Sequence, residues 1–207
     1  MAEKRHKQCC SISILVVAIL LCAGCSMENH LGKNLRRTLG AHDWHTYVKN
    51  GPGIWVSVKR QRLLLIDDYE IIKQYPCSTG AAGTGSQMNS GHTPLGWHRV
   101  AKKIGRELPE GAVLKDRIWT GRIWKRGQQT DNDLILSRIL WLDGLQPGYN
   151  RGGKIDSRNR YIYIHGTNQV DALGQPASAG CIRLDPQAVI DLYQRVDEGC
   201  RVLITRE

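Results

Sequence analysis

Residues 161–184 read YIYIHGTNQVDALGQPASAGCIRL, and the two halves of that stretch point to the fold. Tyr161 and Tyr163 alternate with Ile162 and Ile164, the period-two pattern of a half-buried strand, and His165 closes it. A loop rich in Gly, Pro and Ala then leads to Cys181, sixteen positions after His165. Beyond it, Asp185 is a helix N-cap and Pro186 suits a first helical position. Ala188, Val189, Leu192, Tyr193 and Val196 share one face of that helix. Gly199 stands where a glycine stop belongs, and residues 200–205 read as a last strand.

Upstream, Ile54–Val58 and Leu63–Ile66 form a hairpin candidate across Lys59–Gln61, Tyr69–Tyr75 adds a short strand, and Leu134–Leu142 is a longer apolar one. Ser78–Gly91 is a loop rich in Gly, Ser and Ala, and Thr93-Pro94-Leu95-Gly96 is a turn. Ile118–Asp133, with Trp119 and Trp124, reads as a small irregular flap. Many strands and one late helix predict a mainly β domain, a β-sandwich or barrel-like architecture over residues 54–205.

The N-terminus has a different character. Lys4, Arg5 and Lys7 precede an apolar run from Ile12 to Leu21, then Ala23 and Gly24 before Cys25. This is the layout of a secretory signal over residues 1–24, and its apolar run is shorter than the roughly 20 residues a membrane span needs. Leu21-Cys22-Ala23-Gly24-Cys25 resembles a lipobox, with Cys22 at the place usually held by leucine. That resemblance implies cleavage before Cys25 and a lipid on it, hence an exported protein held at a membrane of the periplasm or cell envelope. Residues 25–53 are polar and basic, end on Gly51-Pro52-Gly53 and read as a tether, with Leu31, Leu35 and Leu39 spaced for a short amphipathic helix.

The formal charge is +10, and removing residues 1–24 leaves +8. Peptide carboxylates, lipid phosphates and acidic glycans are suitable partners. Nucleic acid is not, because the basic residues are spread out and the chain leaves the cytoplasm. After export, Cys77, Cys181 and Cys200 remain in an oxidising compartment, and an odd number leaves at least one thiol free.

A loop that returns Cys181 to His165 creates the pairing that thiol chemistry needs. A free thiol ionises near pH 8.5, and a neighbouring imidazole can take its proton. Gly180 leaves space for substrate, and a bend at Ser178-Ala179-Gly180-Cys181 can aim backbone N–H groups at an oxyanion. Arg183 offers a planar fork for a substrate carboxylate. Spacing alone leaves another reading open, a satisfied polar histidine and a core thiol. His92, His98, His165 and Cys181 lack the paired spacing of metal ligands, so neither metal nor cofactor is expected. The His precedes the Cys, unlike papain-like enzymes, and no Gly-x-Ser-x-Gly elbow is present.

These residues resemble the signature of the L,D-transpeptidase (YkuD-type) family: a His, a gap of about fifteen residues, Ser/Thr-His-Gly-Cys, then an apolar residue and Arg or Asn. His165, Ser178, Ala179, Gly180, Cys181, Ile182 and Arg183 fill the positions, with Ala179 where His is usual. Residues 75–80, 93–96, 139–144 and 160–167 are similar to further family segments. The resemblance implies a β-sandwich-like catalytic domain acting on peptidoglycan stem peptides. Its Cys attacks the L,D bond of a tetrapeptide stem, D-Ala leaves, and the acyl group passes from the thioester to an amine of another stem or of an anchored protein. It implies Cys181 as nucleophile, His165 as general base and acid, and the Gly166 carbonyl as orienter of the ring. Ser178, Gly180 and Arg183 would serve substrate or oxyanion. Water as acceptor would instead make an L,D-carboxypeptidase or endopeptidase, and Ala179 also admits a wall-binding module with a degraded site. Cys77 and Cys200, where Val and a small polar residue are usual, are either two core thiols or a disulfide.

Overall fold

Strand-forming alternation recurs from Gly53 to Thr205 and builds a mixed sheet of ten strands. They are β1 (Gly53–Ser57), β2 (Arg62–Asp67), β3 (Glu70–Pro76), β4 (Gly96–Ile104), β5 (Ala112–Lys115), β6 (Ile118–Ile123), β7 (Ile135–Gly144), β8 (Tyr163–Thr167), β9 (Ile182–Leu184) and β10 (Arg201–Thr205). The order is β3-β2-β1-β10-β4-β7-β5-β6, with β8 on β7 and β9 on β8. The pairs β1–β10 and β8–β9 are parallel. This computed structural model describes residues 35–130 and 132–207. The signal, the lipobox and Leu31 lie outside the described residues. The chain divides into one unit ending at Tyr47 and another from Val48. In the first, residues 35–40 are helical and α1 spans Trp44–Tyr47, with Leu35, Leu39 and Trp44 buried.

In the second unit the sheet faces converge on one apolar core. Ile54 and Val56 of β1, Leu63 and Leu65 of β2, Leu140 and Leu142 of β7, Ile164 of β8, Ile182 and Leu184 of β9 and Val202 and Ile204 of β10 all meet there. Alternate residues on each strand point into it, as the pleat requires. The helix α2 (Pro186–Arg195) adds Val189, Leu192 and Tyr193. The Asp185 side chain accepts from the Gln187 N–H at 2.9 Å, so the cap read from the sequence forms. The helix stops at Arg195 with Val196 extended, and Gly199 (φ 94°) turns the chain into β10 further on instead of ending the helix.

Two other expectations shift. Tyr161 takes φ 57° in the turn before β8, so the strand begins two residues later than the alternation suggested. The flap region is partly regular: β6 pairs with β5 through Asp116 and Arg117, both at positive φ as a type I′ turn needs, while every residue of β6 is exposed. Cys77 and Cys200 are separate thiols, Cys77 inside the core and Cys200 against it.

Candidate active site

The register of three strands brings His165 and Cys181 to one face. Ile139 and Trp141 of β7 lie opposite His165 and Tyr163 of β8, and Arg183 of β9 lies beside His165. Cys181 precedes β9 by one residue and packs against the cluster of Leu114, Ile139 and Tyr163, as Trp141 does. The intervening residues Leu140, Ile164 and Ile182 point the other way, into the core. Period-two alternation thus places the thiol, the imidazole and the Arg183 guanidinium in a row on the opposite face.

His165 is 3% exposed. Its Nδ1 lies 2.9 Å from the Gly166 carbonyl. A carbonyl only accepts, so Nδ1 carries the hydrogen and Nε2 is left with a lone pair, the tautomer a base needs. Gly166 has no room for a side chain: a Cβ there would sit 2.6 Å from the Leu136 carbonyl oxygen. Burial, the dominant cause, holds the imidazole below its ordinary pKa, against the opposing pull of the Gly166 carbonyl and Asp133.

The Cys181 thiol donates to the Tyr161 carbonyl at 3.4 Å and accepts from the Tyr163 N–H at 3.4 Å. It makes no hydrogen bond to the imidazole in this state. Burial pushes the thiol up to about 11, although the Tyr163 N–H, Arg183 and Arg160 favour the thiolate. Burial thus favours the neutral form of each group over the ion pair expected for an activated cysteine.

Of the three residues assigned to substrate or oxyanion, Ser178 and Gly180 are bonded within the protein and Arg183 is so in part. Ser178 Oγ accepts from the Gly180 N–H at 3.0 Å and donates to the Cys181 carbonyl at 2.6 Å, so this hydroxyl shapes the nucleophile turn. The Gly180 N–H is thereby spent. Among the described residues the N–H groups of Ala179 and Cys181 donate no hydrogen bond within the protein. Arg183 is 4% exposed, donates to Gln169 Oε1 at 2.8 Å and pairs with Asp133. Its Nη atoms are held within the protein, while its buried Nε has no partner among the described residues. Arg183→Met should lower stability by about 1 kcal/mol, read as a slightly lower Tm, because it removes the hydrogen bonds of a buried guanidinium while Asp133 and Gln169 are exposed enough for water to replace it. An unchanged Tm with weaker substrate binding would restore the carboxylate role.

Sequence reading missed Thr93 and the aromatic wall. Thr93 Oγ1 donates to the Gly180 carbonyl at 2.9 Å and accepts from the Gly80 N–H at 2.8 Å. Trp141 packs on Tyr161 and Tyr163, each with ring centroids 5.7 Å away. Arg117, at the β5–β6 turn, lies 5.1 Å from the Trp141 ring and 5.0 Å from Tyr161, and donates to the Tyr163 hydroxyl at 3.1 Å. The exposed hairpin is thus latched over the wall beside the thiol.

His98 is buried elsewhere on β4. Its Nδ1–H donates to the Gly96 carbonyl at 3.0 Å, its Nε2 meets Ser157 Oγ at 2.9 Å, and burial lowers its pKa to about 4. A histidine depressed on folding binds its proton more readily when unfolded. Its contribution is therefore intact above about pH 6.5 and lost as pH falls toward 4, and His165 acts in the same direction. Thermal melts should show a loss of about 2–3 kcal/mol between roughly pH 7 and pH 4.5, reduced in His98→Asn. A flat profile in that window would contradict this.

A family model described as the YkuD L,D-transpeptidase catalytic domain matches residues 51–204. The chain belongs to that family. A curated Bacillus subtilis (strain 168) protein, YqjB, whose name provisionally marks it as an L,D-transpeptidase, is 48% identical over 46 residues, 22% of this chain and 26% of that protein. The chain resembles a solved Enterococcus faecium L,D-transpeptidase at 17% identity, covering 75% of this chain and 50% of that one, with a TM-score of 0.46. It resembles L,D-transpeptidase 3 of Mycobacterium tuberculosis, solved with a faropenem-derived adduct, at 17% identity, 75% and 61% coverage and a TM-score of 0.46. This YkuD-family chain thus spans about a quarter of the curated relative and half to three-fifths of those solved chains.

Proposed function

We propose that this YkuD-family protein is an exported peptidoglycan L,D-transpeptidase with Cys181 as nucleophile and His165 as base. The observation that carries this reading is the shared face of β8 and the β9 entry, where an imidazole with its Nδ1–H held by Gly166 faces the side that bears the thiol. In the proposed reaction Sγ attacks the carbonyl of the L,D bond in a tetrapeptide stem as its proton passes to His165 Nε2. The Cys181 N–H, with that of Ala179, faces the developing oxyanion. Collapse expels D-Ala, whose amine takes the proton back from His165, and leaves a thioester. An amine of another stem then gives its proton to His165, attacks the thioester and frees the thiol, forming a new amide. Ala179 removes a side chain usual in the family, but neither the nucleophile nor the base depends on it. Cleavage before Cys25, with a lipid on that residue, would hold the enzyme at the envelope membrane. Mass spectrometry of the mature N-terminus tests the anchor.

The test of the activity is purified protein incubated with a wall tetrapeptide, with and without an acceptor peptide, read by intact mass and product analysis. A thioester at Cys181 and amide-linked dimers are expected, and neither in Cys181→Ala. Tripeptide alone would make it an L,D-carboxypeptidase. No adduct with stem or carbapenem on a folded protein would end the enzymatic reading in favour of a wall-binding module.

A further inference from the structure

Arg160 has no part in the proposed reaction, yet it reaches the nucleophile's surroundings from the turn before β8. Its Nη2 donates to the His92 carbonyl at 2.7 Å and its Nη1 to the Gly85 carbonyl at 3.3 Å. Its Nε is buried and has no partner. An unpaired buried N–H is costly, so the side chain is held there by the two carbonyls and by what they support.

Those carbonyls belong to a loop pressed against the nucleophile turn. The position a Cβ on Gly180 would take is 2.9 Å from the His92 oxygen, so His92 and Gly180 are in near contact. The next residue, Thr93, bonds the Gly180 carbonyl through its hydroxyl. Its N–H donates to the Gly83 carbonyl and its own carbonyl accepts from the Gly85 N–H, each at 2.9 Å, which closes the loop on itself. Main-chain hydrogen bonds fix the loop internally, and Arg160 ties it to the β8 turn. That turn also contains Tyr161, whose carbonyl accepts from the thiol.

We propose that Arg160 is a positioning residue for Cys181: by clamping the His92 and Gly85 carbonyls it seats residues 85–93 on Gly180, and through Thr93 it sets the peptide that carries the nucleophile. Its charge is a separate matter. Arg160, Arg183 and Asp133 are the charged groups that act on the thiol, and Arg160 is one of the two cations among them that favour the thiolate. The clamp requires a planar fork that spans two carbonyls, which a lysine keeps in charge but not in shape.

The test compares Arg160→Lys and Arg160→Met with Arg158→Met, which removes a neighbouring exposed cation that lies over Trp141. Amide hydrogen exchange at residues 85–93 and 179–181 is the primary readout and needs no assumption about the reaction. Exchange should speed up in both Arg160 variants, while Arg158→Met stays as wild type. Wild-type exchange in Arg160→Lys overturns the clamp, since charge alone would then suffice. Faster exchange spread over the whole sheet overturns it too, by showing general destabilisation. The second readout, which rests on the transpeptidase reading, is carbapenem adduct formation at Cys181. A fall of about 10- to 100-fold is expected in both Arg160 variants, the size of a small misplacement of a reacting group. Unchanged acylation in them overturns the positioning role. If wild-type protein forms no adduct, the reaction reading fails while the exchange result still decides the clamp.

Discussion

Iodoacetamide should alkylate Cys181 at a rate that climbs about tenfold per pH unit from roughly pH 7 to pH 10, about a thousandfold in all. The thiol is raised to about 11 and the imidazole lies below its ordinary value, each chiefly through burial. Each shift favours the neutral form of its group, so the thiolate–imidazolium state is disfavoured twice. Peptide mapping separates Cys181 from Cys77 and Cys200, which burial raises to about 12. A rate that levels off above about pH 6 would show a preformed ion pair and sink this account. In the proposed reaction, proton transfer would then accompany attack. His165→Ala should therefore slow acylation by a stem far more than it slows alkylation at high pH, where hydroxide already supplies the thiolate.

Gly180→Ala should reduce acylation by about 100-fold or more while the core remains folded. Gly180 adopts φ 116°, where a side chain is strained, and a Cβ would meet the His92 oxygen at 2.9 Å. The strain alone costs of order 1–3 kcal/mol. More damaging, the Gly180 peptide is bonded at both ends, its N–H to Ser178 Oγ and its carbonyl to Thr93 Oγ1. A methyl group must rotate this peptide or push the loop away, and either moves the Cys181 N–H from the place where an oxyanion would form. Far-ultraviolet circular dichroism, Tm and acylation rate together check it. Near wild-type acylation would mean that the turn tolerates a different path.

How much of this could be read in the sequence depends on separation along the chain. The β1–β2 hairpin, the Asp185 cap and the apolar face of α2 rest on neighbours, and each forms; the strand read over Tyr161–His165 forms two residues later, with His165 at its centre. Strand β4 escaped notice because a register shift between Val100 and Lys102 breaks its alternation. Strand β5 has only four residues, too few for a pattern to show. Within the site, the pairing of His165 with the Gly166 carbonyl was implied by the family resemblance, and it is local. The contacts from Thr93 to Gly180, Arg160 to His92 and Arg183 to Asp133 join residues 87, 68 and 50 positions apart. No local rule connects such pairs. Ser178, Gly180 and Arg183 were singled out for substrate or oxyanion, whereas the partners they have within the protein appear only once the strands are in register.

The raised thiol also bears on the survival of an enzyme exported as proposed. Peroxide, low-molecular-weight disulfides and other oxidants attack thiolates, and a protonated thiol reacts slowly with all of them. With Cys77 buried in the core and Cys200 against it, neither is paired with Cys181 as a resolving partner. In an oxidising compartment that lacks a reductant, a nucleophile kept as the neutral thiol until substrate arrives would persist between encounters without a dedicated repair system. Slow chemistry at rest is then a form of chemical shelf life.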